Sequence, residues 1–172
     1  MKLKTIIRQV VLGAAVLGVA GCASYTWTSH VPKEMRTVCV PTFRNETDVT
    51  ELGSVASRQI LREFQREGTF RVALQDDAAV EIQGVLKSAN TDYVGGDRST
   101  GSRHGVHNLV VKAVVSVIDR RNGKVLVNNR EYVATGAFTT ESDRTTHKRD
   151  ASGRMAEDLA TQIVDDVLNM KW

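Results

Sequence analysis

Three features of this 172-residue chain predict an α+β fold, with two amphipathic helices packed on one face of a mostly antiparallel four- to five-stranded sheet. The first is a pair of apolar stripes at helical spacing. Leu52, Val55, Ala56, Ile60 and Phe64 form one, and Met155, Leu159, Ile163 and Val167 form the other. The second is the stretch "AVEIQGVLKSA", where Val80, Ile82 and Leu86 alternate with Glu81, Gln83 and Lys87. Such alternation marks a strand with one wet face. The third is Asn122-Gly123, the strongest short-range hairpin signal, set between two β-branched runs.

In chain order, Ala23–Lys33 is polar and aromatic with one proline and reads as a tether. Arg36–Pro41 is a short strand that Pro41 stops. Asp48 or Thr50 is placed to cap the first helix, with Arg58, Arg62, Glu63 and Arg66 largely off its apolar stripe. Gly68 stands where a left-handed C-cap ends a helix. Thr69–Leu74 is a second strand, followed by the alternating strand from Val80 and a third long one over Leu109–Asp119. Val125–Phe138 returns antiparallel to the latter. Ala151–Leu168 is the second helix, with Glu157, Asp158 and Asp165 outside its core stripe. The order is β-α-β-β-β-β-α. Two polar stretches, Val94–Asn108 and Thr139–Asp150, read as loops long enough to be functional or mobile.

Charge is informative by position. The chain carries 23 basic and 20 acidic residues, and Lys2, Lys4 and Arg8 precede Cys22 with no acid among them. Removing those three leaves 20 basic residues against 20 acidic ones. A neutral domain has no bulk charge with which to hold a polyanion, which speaks against nucleic acid as a partner. The three early cations form a positive n-region before the uncharged run Val10–Ala20, too short to span a bilayer but suited to a secretory signal. The run ends Val19-Ala20-Gly21-Cys22, which resembles a bacterial lipobox. That resemblance implies that Cys22 is the lipid-attachment residue, diacylated after cleavage, and acyl chains together give stable anchoring. Ala23 favours the outer membrane, because aspartate there would resemble an inner-membrane retention signal. The expected division is a signal peptide at 1–21, a lipidated amino terminus and tether at 22–34, and one α+β domain at 35–172.

Catalytic constellations are absent from the pattern. There is no nucleophile elbow, Walker loop or HExxH helix, so no enzyme and no cofactor are expected. Cys39, in the apolar "RTVCVP", reads as a small buried residue rather than a reactive thiol, and the sequence has no disulfide framework and no CxxC or His/Cys cluster to suggest zinc. His104 and His107 lack a third metal ligand at a persuasive spacing. Three basic groups remain: Arg98 and Arg103 in "GGDRSTGSRHGVH", Arg120, Arg121 and Lys124 in "DRRNGK", and Arg144, Lys148 and Arg149 in "DRTTHKRD". Each also reads as an ordinary solvated loop or turn. Guanidinium and ammonium groups in clusters suit phosphate, and the abundant phosphorylated ligand at an outer membrane is lipopolysaccharide.

Val38–Val72, "VCVPTFRNETDVTELGSVASRQILREFQREGTFRV", followed by the alternating strand, a long hairpin and a carboxy-terminal amphipathic helix, resembles the lipopolysaccharide-assembly lipoprotein family (LptE). The resemblance implies a lipid-anchored plug for an outer-membrane β-barrel of the lipopolysaccharide translocon (LptD-like), helping to deliver lipopolysaccharide to the outer leaflet. The motif itself reads as a fold signature: Val38 and Val40 face the core, Pro41 ends pairing, and Asn45 and Thr47 bond a turn. Strand–PxFxNxT–helix is also similar to curli-secretion and penicillin-binding-protein-activator lipoproteins, which form pores or regulate cell-wall synthases. Those usually carry "LPF" where this chain has "VPTF", and often a longer tether.

Overall fold

The computed structural model describes residues 30–95, 105–139 and 144–172. Its elements are β1 (Thr37–Cys39), β2 (Arg44–Asn45), α1 (Leu52–Glu67), β3 (Arg71–Val72), β4 (Val80–Gly95), β5 (Val106–Asp119), β6 (Lys124–Thr139) and α2 (Arg144–Asn169). Single 3-10 turns sit at Lys33–Met35 and Gln75–Asp77.

The sheet departs from the expected four to five mostly antiparallel strands. It has six strands in the order β3-β1-β4-β5-β6, with β2 also paired to β4. β4, β5 and β6 form a long antiparallel meander. β1, β2 and β3 join it by parallel pairings. The cause is the position of α1, because a helix between β1 and β3 returns the chain in the same direction and makes the pair parallel. β1 and β2 are two pieces of one interrupted strand along β4. Val38 and Arg44 lie six residues apart, while their partners Val80 and Val85 lie five apart. One residue is therefore bulged out between them, where Pro41 has no N–H to give to a ladder.

Both helices cover the same side of the sheet and touch each other, α2 chiefly over β6 and α1 over the β1–β4 region. Val38, Ile60, Phe64, Ile82, Leu86, Val111, Met155, Leu159 and Ile163 meet in one continuous buried cluster. Apolar burial of this kind contributes about 25 cal/mol per Å² and is the main force closing the two layers. Gly136 lets the layers approach closely, because a Cβ there would overlap the Ala151 carbonyl.

Other boundaries moved for physical reasons. Neither Asp48 nor Thr50 caps α1; Glu51 takes the N-cap position in a left-handed conformation, φ 65°. Its carbonyl accepts from the Val55 N–H and the Ser54 hydroxyl. Gly68 ends α1 at φ 85°, as expected. Strand pairing at Thr69–Leu74 contracts to Arg71–Val72, since only a short stretch of β1 is available to it. The stretch read as a loop at Thr139–Asp150 is partly helix, because α2 begins at Arg144. Val94–Asn108 is strand at both its ends: β4 runs to Gly95 and β5 starts at Val106. The Asn-Gly signal does mark the β5–β6 turn. Asp119 pairs with Lys124 across four residues, with Gly123 left-handed at φ 72° and the Asn122 side chain accepting from the Lys124 N–H.

Candidate binding surfaces

The geometry of "VPTFRNET" comes from hydrogen bonds made by small polar side chains. The Phe43 N–H donates to Ser57 Oγ at 2.8 Å, and that hydroxyl has Gly53 O at 3.0 Å and Pro41 O at 3.2 Å as acceptors. Asn45 Nδ2 donates to Val49 O at 2.8 Å, while its Oδ1 accepts from both the Thr47 N–H and the Thr47 hydroxyl. The Phe43 ring lies on Gly84 of β4, where a Cβ would overlap it, and the Phe43 carbonyl abuts Gly53 of α1. Phe43 is thus clamped between strand and helix. Glu46 accepts from Arg44 and, at 3.0 Å, from Lys87. The Lys87 hydrogen bond is the main influence holding its carboxyl below the usual range. The Pro41, Phe43, Asn45 and Thr47 groups of the motif serve the fold, as the sequence suggested.

Of the basic residues singled out in the sequence, those that are described fall into two groups at opposite ends of the long strands. Gly95 pairs with Val106 and Val106 pairs with Thr139, so the strand ends flanking residues 96–104 and preceding α2 lie side by side. Arg98, Arg103 and Cys22 lie outside the described residues. Arg144 and Lys148 fall in the first turns of α2, and Arg149 is exposed there. Arg120, Arg121 and Lys124 occupy the β5–β6 turn, roughly 40 Å away along β5 at about 3.3 Å per residue.

Within the turn, two of the three cations have partners that sequence spacing did not reveal. Arg120 pairs with the buried carboxylate of Glu81 on β4. Burial works to raise the Glu81 carboxyl, but hydrogen bonds from Gln83, Arg120 and Gln75 together hold it below its ordinary value. Arg121 reaches back to the buried Asp119, with its side chain at 3.1 Å and its backbone N–H at 3.0 Å. Those bonds hold the Asp119 carboxyl low. Both guanidiniums thereby neutralise carboxylates that would be costly to bury alone. Lys124 is exposed and has no ion pair among the described residues. Cys39 lies beside Glu81 in the register, and its thiol is pushed up by burial and then by that carboxylate.

A second polar array was invisible to the helical pattern. β6 is an edge strand, and α2 sends four side chains spaced four residues apart onto it. Arg154 Nε donates to Ala137 O at 2.7 Å, and Asp158 accepts from the Thr135 N–H at 2.9 Å. Gln162 Nε2 donates to Val133 O at 3.1 Å. Asp166 accepts from the Tyr132 hydroxyl at 2.7 Å and from Arg130 at 2.5 Å. Residues four apart share one helix face, so this stripe supplies the partners that a neighbouring strand would have given. Asp158, expected only outside the core stripe, is one of the stripe's members.

Among the described residues no group of three His, Cys, Asp or Glu could hold a metal, and no helix is long and apolar enough to cross a membrane. A cavity of about 60 Å³ between Val49, Thr91, Leu109, Phe138 and Ala151 is too small for a substrate. What the described residues present is a set of strand ends, a sheet face left uncovered by helices and an edge strand. The LptE family, described as lipopolysaccharide-assembly, matches residues 35–167, and the chain belongs to it. That is a family of non-enzymatic lipoproteins, so the chain is a lipopolysaccharide-assembly lipoprotein at the family level. No curated protein matches. Among solved structures, hypothetical protein CT253 from Chlamydia trachomatis is similar over 78% of this chain and 96% of its own, at 12% identity and a TM-score of 0.51. A minor lipoprotein from Acinetobacter baumannii matches over 77% and 92%, at 11% identity and 0.49. The PelC dodecamer from Paraburkholderia phytofirmans matches over 76% and 90%, at 21% identity and 0.42. The first of these speaks to the fold alone.

Proposed function

We propose that this chain is anchored in the outer membrane through acyl chains on Cys22. There it pairs with an LptD-like β-barrel to insert lipopolysaccharide into the outer leaflet. One observation carries the reading: the LptE match covers residues 35–167 of a chain whose Cys22 directly follows a short apolar run with a basic start. Acyl chains supply the membrane affinity, which leaves the folded domain free to engage a partner.

Crosslinking the full lipidated chain in cells and purifying it in mild detergent tests the pairing. An outer-membrane barrel is expected to co-purify. Recovery of a cell-wall synthase, or of a ring made only of this chain, would instead favour the activator or curli-secretion class.

Lipopolysaccharide contact falls, in this reading, to basic residues that no buried carboxylate is seen to hold. Arg144, Lys148 and Arg149 belong to the first turns of α2, at one end of the strands, and Lys124 to the turn at the other; Arg98 and Arg103 are candidates from the sequence alone. Arg120 and Arg121 are weaker candidates because each already holds a carboxylate. Charge reversal at Arg144, Lys148 and Arg149 is expected to weaken lipopolysaccharide binding about tenfold or more, each phosphate contact being charge-assisted. Binding equal to the parent's would remove these residues from the contact set.

A further inference from the structure

A groove of about 610 Å³ opens where the described chain begins, at the β3 edge of the sheet. Lys33, Arg36 and Arg71 line it, with Gln65, Thr69 and Phe70 between them and no acidic residue in its wall among the described residues. Lys33 and Arg71 are exposed. Arg36 is partly held: its Nε donates to Val31 O at 3.1 Å, which fixes the guanidinium while its terminal nitrogens stay uncommitted among the described residues. The acids nearest in sequence are engaged elsewhere. Glu67 accepts from the Thr69 N–H at 2.8 Å and from its hydroxyl at 2.7 Å. Glu34 lies close enough to Arg121 to join Asp119 in stabilising that cation. These three cations therefore differ from Arg120 and Arg121, whose charges answer buried carboxylates.

Position gives the groove a target. Lys33 is eleven residues after Cys22, and eleven residues extend at most about 35–40 Å. A chain acylated at Cys22 holds this corner of the domain within that reach of the bilayer surface, whereas the β4–β5 end lies at the far tip of the long strands. Anionic headgroups attract basic side chains held within a Debye length of the surface.

We propose that the Lys33–Arg36–Arg71 groove is a docking surface for anionic phospholipid headgroups of the leaflet that holds the anchor. It rests on the lipid-anchored reading of Cys22, and it places the β3 edge of the sheet against that leaflet. Each basic side chain near an anionic bilayer contributes about a fivefold preference, so Lys33 and Arg71 together give on the order of twentyfold.

Hydrogen exchange on the full lipidated chain, reconstituted into vesicles, tests this. Exchange over residues 33–37 and 68–72 is expected to be about tenfold slower in vesicles of phosphatidylcholine with phosphatidylglycerol than in phosphatidylcholine alone. The slowing should disappear in K33E/R71E and fall to an intermediate value in K33Q/R71Q. Unfolding midpoints of both variants should match the parent, since neither side chain has an ion-pair partner among the described residues. Equal exchange in the two vesicle types overturns the proposal. The same slowing produced by inorganic phosphate over phosphatidylcholine vesicles would make this a free-anion site and overturns it also. Mass spectrometry of the amino-terminal peptide keeps the two readings apart. A diacylated Cys22 without vesicle-dependent slowing overturns the groove alone; an unmodified Cys22 overturns the anchor and the orientation with it.

Discussion

Glu81 shows how a single side chain can be both costly and necessary. It alternates with Val80 and Ile82 as a wet-face residue should, yet it is buried beside Cys39 and held by Arg120, Gln75 and Gln83. Arg120 completes the pair from the β5–β6 turn, thirty-nine residues away in sequence. Removing one member of such a pair strands a charge, which costs about 3–5 kcal/mol when burial is full. Arg120 is partly exposed, so Arg120→Ala is expected to destabilise by about 2–3 kcal/mol. The pair also gives the fold a pH dependence with a definite sign. A carboxyl whose folded value lies below its ordinary value of 4.5 stabilises the fold above that value. The stabilisation is lost as pH falls through the lower, folded one. Urea midpoints measured between pH 7 and pH 3 should therefore drop less in Glu81→Gln than in the parent. Parallel curves would show that Glu81 is not a titrating contributor.

At the scale of elements, α2 does more than cover the core. Its buried stripe was legible from Met155, Leu159, Ile163 and Val167, all of which are buried. Its second stripe, Arg154, Asp158, Gln162 and Asp166, looks like ordinary solvated helix polarity until the strand beside it is known. An exposed edge strand is a template for unwanted pairing, and these side chains occupy the free N–H and C=O groups of Val133–Ala137. Asp158→Ala combined with Gln162→Ala should uncover two of them without touching the core. The variant is expected to show concentration-dependent association by analytical ultracentrifugation, with near-parental helix content. A variant that sediments as the parent does at every concentration would assign the stripe to helix docking alone. Farther along β6, a bulge performs the same service. Ser116 Oγ accepts the Asn129 N–H at 3.1 Å, and Asn129 is left-handed at φ 46°. The ladder is thereby broken where α2 no longer reaches.

Over the whole molecule, one apolar cluster runs from Val31 through both helices to Val167, with Trp172 packed on Phe70 and Phe70 edge-on to Phe64. A single shared core predicts a single transition. In a Trp27→Phe chain, where fluorescence reports Trp172, urea unfolding followed by fluorescence and by far-ultraviolet circular dichroism should coincide. Two separated midpoints would show that the amino-terminal corner and α2 unfold independently. The Trp172 indole N–H is buried without a partner among the described residues, so the carboxy terminus is held by packing.

The hydrophobic periodicity of this sequence determined its two helices and its long strands, and Asn122-Gly123 determined the β5–β6 turn. The reason is that one-face burial imprints a period of 3.6 or 2 on local residues. The same sequence carried the lipobox-like run before Cys22 and the family pattern over Val38–Val72. Only the tertiary structure decided that β1, β2 and β3 run parallel to their neighbours, because strand direction depends on where α1 returns the chain. Only it separated the structural arginines, Arg120 and Arg121, from the uncommitted cations around Lys33 and Arg71. Their partners, or lack of them, are set by contacts between residues far apart in the chain, and a charge pair of that kind leaves no period to read.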